Sequence, residues 1–276
     1  LWPITSGGGA CSTTLQACIN SAAEGDTIVI GADEFIGADA YTAINESLTI
    51  TRSLTLTAQP GIDAVFASGR NISVALGGGT RSLTLSRLTL QRGAILVSLS
   101  GAAAGSSVNI NQVRVLQMPD VFSLGCAIDV QAFGGSVQPS ISVGDNWIQA
   151  SANAADVGGG ICLSSDDSVS QAQFAVFRNR VLGATGQILR AINVTSPSAG
   201  STTVSANWIL GPRLDQAMIV QRRGTGSHQL RVDNNVITGQ DAAPSSVQYI
   251  IDGKQSMTVF KDVRTLVADS ITAAVA

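Results

Sequence analysis

Four segments of the chain repeat one pattern: an apolar residue, an asparagine three positions later, and Ile or Val two positions after that. They read VGDNWIQA from Val143, VFRNRVLG from Val176, VSANWILG from Val204 and VDNNVITG from Val232. Weaker copies, LSRLTLQR from Leu85 and INQVRVLQ from Ile110, extend the series, and successive starts are 25, 33, 33, 28 and 28 residues apart. A second series falls between them: AIDV at Ala127, GICL at Gly160, AINV at Ala191 and AMIV at Ala217. Repeats of variable length that each hold two or three short β-rich runs indicate a β-solenoid. A leucine-rich repeat requires its Leu/Asn consensus, and a helical repeat requires 3.6-residue periodicity; the chain has neither. The composition agrees. With 29 Gly, 13% charged and 4% aromatic residues among 276, the chain lacks the Glu, Lys, Arg and Leu that long amphipathic helices need.

In a solenoid each coil is a rung of short parallel strands, and successive rungs bond through their backbones about 4.8 Å apart. Alternation predicts that Val143, Val176, Val204 and Val232 point inward, together with Ile148, Val181, Ile209 and Ile237. The column Asn146, Asn179, Asn207 and Asn235 then falls at a turn between strands. Asparagine tolerates the left-handed conformation that such turns need, and its amide can bond the amides above and below, so a structural ladder is expected.

The opening CSTTLQACINSAAEGDTIVI resembles the N-terminal cap of secreted proteins with the pectin-lyase-like parallel β-helix, in which a short amphipathic helix leads through GDTI into the first strand. Here Leu15, Cys18, Ile19 and Ala22 share a helical face, and Gly25 and Asp26 supply the turn. The following SLTITRSLTLTAQP is similar to the early rungs of that family. The resemblance implies an all-β chain: a single-stranded, right-handed parallel β-helix of eight or nine rungs, with a cap of loop and short α-helix over residues 1–26 and the solenoid over 27–276. It also suggests a secreted or cell-surface protein. Low lysine, an even cysteine count and richness in Ser, Thr and Gly point the same way, and a chain that opens LWPITSGGGACS fits a mature form whose signal was removed.

Four cysteines allow three disulfide connectivities. If Ile128 and Ile161 are equivalent, Cys126 and Cys162 are three positions out of step, about 10 Å along a strand and too far to bond. Cys11 and Cys18 are the better pair, provided that Cys11 lies in the loop before the helix and folds back onto it. With one histidine and no CxxC, a zinc site is not expected, and no cofactor is implied.

Few residues suggest catalysis. Pectate-lyase-like enzymes cluster Asp carboxylates for calcium beside an Arg, and polygalacturonase-like hydrolases carry NTD, DD, GHG and RIK. Only a DD is present, Asp166 and Asp167, in a context that reads as a turn cap. His228, in GTGSHQL, reads as a surface-turn residue. GGGTRS at Gly77 lacks the lysine of a phosphate loop. Counting two positions from each repeat start gives Arg87, Gln112, Asp145, Arg178, Ala206 and Asn234. In that column Asp145 and Arg178 should form an exposed ion pair rather than a calcium site.

Position four holds Thr89, Arg114, Trp147, Arg180, Trp208 and Val236, and alternation points it outward. Alternating Arg and Trp at rung spacing can form a cation–π stack that only stabilises the sheet, or a platform on which Arg114, Trp147, Arg180 and Trp208 bind polysaccharide. Two functions therefore stand: a structural or adhesive β-helix, glycan-binding and assembling with copies of itself, or a lyase or hydrolase of acidic polysaccharide. A net charge of −3 without a basic run gives no footprint for nucleic acid. No apolar run approaches the roughly 20 residues of a membrane-spanning helix. The C-terminal segment, nearly uncharged and without proline, is expected to cap the last rung or to join a neighbouring chain.

Overall fold

A computed structural model describes residues 1–2, 9–32, 41–118, 125–150, 156–183, 187–196, 199–210, 213–222, 228–238, 247–251, 257–261 and 266–268. The chain winds into a right-handed parallel β-helix, each coil placing one short strand in each of three sheets. The first sheet has nine strands, from Asp26–Ile30 to Met257–Lys261, and the second nine, from Tyr41–Ile44 to Leu266–Ala268. The third has eight, from Leu48–Ile50 to Val247–Ile251. The described strands thus make eight full coils and part of a ninth. The C-terminal segment expected to cap or associate lies outside the described residues, apart from the short strand Leu266–Ala268.

The repeat register holds across the first two sheets. Ile110, Val143, Val176, Val204 and Val232 are successive partners in the first, and Ile148, Val181, Ile209 and Ile237 in the second. All of them are buried and line the apolar interior.

The corner between these sheets explains the odd three-residue step from valine to asparagine. Strict alternation would turn a residue three positions on to the opposite face. One residue in each corner instead adopts a left-handed conformation: Arg87, Gln112, Asp145, Arg178, Ala206 and Asn234, all with φ between 51° and 58°. This shifts the phase by one and turns the next residue inward: Leu88, Val113 and then the four asparagines. The left-handed residue is thus the one before the ladder asparagine, not the asparagine itself. The strained conformation is held from rung to rung, because the N–H groups of Asp145, Arg178 and Ala206 donate to the Phe177, Ser205 and Asp233 carbonyls at 3.0–3.1 Å.

Asn146, Asn179, Asn207 and Asn235 are all buried and form one continuous ladder. Each Nδ2 donates to the carbonyl that starts the previous repeat, from Ile110 to Val204, at 2.9–3.0 Å. In the first three asparagines Nδ2 also donates to the next Oδ1 at 2.9 Å. The backbone N–H groups of Val113, Asn146, Asn179 and Asn207 donate to the same oxygens at 2.9–3.1 Å. A buried amide is tolerated because its donors and acceptor are all used.

The cap matches its sequence signature. The helix Leu15–Ser21 starts at Thr14, whose Oγ1 accepts from Ala17 N at 3.0 Å, and it buries Leu15, Cys18 and Ile19. Glu46 accepts from the Leu15 and Gln16 N–H groups at 2.7 and 3.2 Å and ties the helix to a rung. Cys11, in the 3-10 turn Ala10–Ser12, bonds Cys18 with a Cα separation of 4.2 Å. Glu24 ties the end of the cap to later rungs: hydrogen bonds from Ser53, and then from Arg81, pull its carboxyl down to about 2. The sequence did not suggest a role for Trp2, which is buried and extends the edge of the first sheet by bridging Ile30.

One cysteine expectation fails. Cys126 and Cys162 form a second disulfide with Cα atoms 5.8 Å apart, although Ile128 does pair with Ile161. The 10 Å estimate assumed a straight strand. Cys126, Ala127 and Ile128 are buried in succession, as are Gly159, Gly160 and Ile161, which marks a corner in both segments. A corner shortens the path between residues three positions apart. Gly159 leaves room for the sulfurs, since a Cβ there would lie 2.3 Å from Cys126 Sγ. Two disulfides are compatible with an extracellular protein, and no described helix is long and apolar enough to cross a membrane.

Replacing Asn207 by Leu should strand the two Asn179 donors and the Val176 carbonyl that its amide serves, each at about 1–3 kcal/mol, and so cost at least about 3 kcal/mol in urea unfolding, while Asn235 Oδ1 keeps the backbone N–H of residue 207. Asn109→Ala, at an exposed site, should change stability by less than about 0.5 kcal/mol. Replacing Cys126 and Cys162 together by Ser opens a loop of sequence separation 36 and should cost about 4 kcal/mol by loop entropy.

Candidate functional site

The corner that turns asparagine inward turns its two neighbours outward. Along the second sheet Thr89, Arg114, Trp147, Arg180, Trp208 and Val236 are successive partners, so the outward column predicted from the repeat is formed in full. Thr89 is buried, whereas Arg114 and Arg180 are exposed and Trp147 and Trp208 each keep 37% of their surface in solvent. The Arg180 guanidinium lies between the two indoles, 5.7 Å from the Trp147 ring and 5.4 Å from the Trp208 ring. Arg114 does not share in this stacking; it lies 4.0 Å from Asp63 Oδ1.

Parallel to this column runs that of the left-handed corner residues. Arg178 donates from Nε and Nη2 to the two oxygens of Asp145, both at 2.7 Å, which is the expected ion pair in planar bidentate form. Arg178 also lies 4.6 Å above the Phe177 ring. Phe177 in turn covers Gly144, where a Cβ would fall 2.4 Å from the ring, so the aromatic cover needs a glycine beneath it. One rung pair nearer the N-terminus, Arg87 Nε donates to Gln112 Oε1 at 3.1 Å.

The two columns and the turn at residues 59–63 enclose an open groove of about 880 Å³. Four arginines line it, Arg87, Arg114, Arg178 and Arg180, against two aspartates, Asp63 and Asp145. In a chain of net charge −3, this is a locally cationic surface. Among the described residues Arg180 has no carboxylate within ion-pair distance, and its side chain is exposed.

The Asp145–Arg178 pair holds its charges. Hydrogen bonds from Arg178 hold the Asp145 carboxyl below the usual aspartate range, and the bonds to Asp145 raise Arg178 further. Neither group changes protonation near neutral pH.

The remaining candidates divide. Asp166 caps a turn as expected, its oxygens accepting from Ser168 N at 3.0 Å and Gly134 N at 3.3 Å. His228 is not on a surface turn. It is 1% exposed, begins the strand His228–Asp233, and its Nε2 is 3.0 Å from Thr202 Oγ1. The shared parity of His228, Leu230 and Val232 carried that placement. No group of three potential metal ligands occurs among the described residues. The groove wall at residues 59–63 was not foreseen, because nothing in that turn repeats.

No protein family, curated protein or solved structure matches the chain.

Arg180→Ala removes the guanidinium from between the two indoles and should lower stability by about 0.5–1 kcal/mol per ring, and Arg180→Lys should recover only part of it. Asp145 has its pKa lowered by folding, so its stabilisation is present above the unfolded value of about 3.9 and is lost as pH falls through the folded value. The gap in melting temperature between the wild type and Asp145→Asn should therefore close on acidification.

Proposed function

We propose that the protein is a secreted or surface-displayed β-helix of the pectin-lyase-like class that binds an acidic polysaccharide in the groove along its second sheet. The cap signature and the two disulfides support the class and the compartment. The observation that carries the binding reading is Arg180, exposed between two indoles and without a carboxylate partner among the described residues, inside a groove of four arginines and two aspartates. Arginine forks pair with sugar carboxylates, and the exposed parts of Trp147 and Trp208 pack against the apolar faces of the rings. The stack also stabilises the sheet, so one column serves both purposes. Asp145 and Arg178 hold their charges, which suits the groove to ionic recognition.

Titration calorimetry with polyuronates and with uncharged glucans tests this. Wild-type protein should bind the acidic polymers and not the neutral ones, with affinity falling as salt rises. Arg114→Ala with Arg180→Ala should weaken binding at least tenfold without unfolding the protein. Neither reducing ends nor unsaturated products should accumulate. Absence of binding to any anionic polysaccharide at millimolar concentration would refute the proposal.

A further inference from the structure

The groove does not present the same chemistry on every rung. One rung contributes Gln112 and Arg114, the next Asp145 and Trp147, the next Arg178 and Arg180, and the next Ala206 and Trp208. From Gln112 onward cationic rungs therefore alternate with rungs that carry an indole and no cation, while the rung before them, Arg87 and Thr89, is also cationic and lies outside the alternation. The first of these indole rungs also carries a carboxylate that stays ionised, with 36% of its side chain exposed. The columns run along the helix axis, and their chemical period is two rungs, about 10 Å. An extended pyranose chain laid along that axis advances by close to one rung per sugar.

From this we infer that the groove selects a polysaccharide in which uronate and neutral sugars alternate. The uronates sit opposite Arg114 and Arg180, and the neutral residues sit opposite Trp147 and Trp208. The inference rests on the groove being a polysaccharide site. The carboxylate is the anionic group implied, because the groove already holds one in its own Arg178–Asp145 pair, at 2.7 Å to each oxygen. A polymer charged on every residue would place a carboxylate beside Asp145 and another beside Trp208, neither with a cation on its own rung. Repulsion and incomplete rehydration would then oppose the gain at the arginine rungs.

The test compares hyaluronan, which alternates uronate with a neutral amino sugar, and polygalacturonate, charged on every residue, at matched chain length. General electrostatic attraction favours the denser charge, so a preference for hyaluronan has to come from the pattern. Wild-type protein should bind hyaluronan at least tenfold more tightly. Trp147→Arg, which makes the four rungs from Arg87 to Arg180 all cationic, should bring polygalacturonate to within about threefold of hyaluronan, and Asp145→Asn should narrow the gap in the same direction. Circular dichroism and thermal melting confirm that each variant is folded. Equal or tighter binding of polygalacturonate by the wild type would overturn the alternation while leaving an acidic-polysaccharide groove. Binding of neither polymer would remove the groove reading and the alternation with it.

Discussion

The architecture from Leu85 onward depends on a single left-handed residue in six successive corners between the first and second sheets. That residue carries a conformational cost on the order of 1–2 kcal/mol where it is not glycine, and here it is Arg, Gln, Asp, Ala or Asn. In the four corners from Asp145 to Asn234 the asparagine turned inward saturates the backbone of the adjoining corners, whereas at Arg87 and Gln112 the inward residue is Leu88 or Val113. Each ladder amide takes over groups that would otherwise be buried unpaired: a carbonyl on the previous rung and an N–H beside it. In those four corners strain and buried amide act together as one stacked device. A lone rung would have the strain without the partners, which is the physical reason that the motif recurs on consecutive coils.

The same device creates the groove. Turning asparagine inward projects the residues on either side of it outward, at the rung pitch, along the whole ladder. Two parallel columns of freely chosen side chains result, over a backbone fixed by hydrogen bonds. Binding side chains on such a scaffold need little ordering when a ligand arrives, and Arg180 is further restrained by its two indoles. Ladder and groove are coupled in stability but separable by mutation, since ladder side chains are buried and column side chains are exposed.

The N-terminal end is closed by several small fastenings rather than one large interface. Trp2 covers the sheet edge, Glu46 holds the first N–H groups of the helix, and Cys11 pins the preceding turn. Glu24 links the cap to Ser53 and Arg81 on later rungs. Covering the first rung in this way blocks edge-to-edge pairing, to which a stacked parallel sheet is otherwise open.

The repeated V-x-x-N-x-[IV] pattern by itself determined the solenoid, the inward columns of Val and Ile, the asparagine ladder and the outward Arg/Trp column. Those features recur at one register, and stacking places equal registers over one another. Tertiary structure decided what does not recur. The Cys126–Cys162 bond depends on a corner that breaks the straight-strand distance, signalled only by the glycine run opposite Cys126. The left-handed residue precedes the asparagine because the phase shift must come before the inward turn, a matter of φ that residue type does not reveal when the position accepts Arg, Asp and Ala alike. His228 is buried because it begins a strand and shares the inward face of Leu230 and Val232 rather than lying in the preceding turn. The groove needed a wall from a unique turn at residues 59–63, and its charge balance arises only when side chains from several rungs meet. Periodic order is local and can be read from the chain; proximity between unlike segments exists only once the coils are stacked.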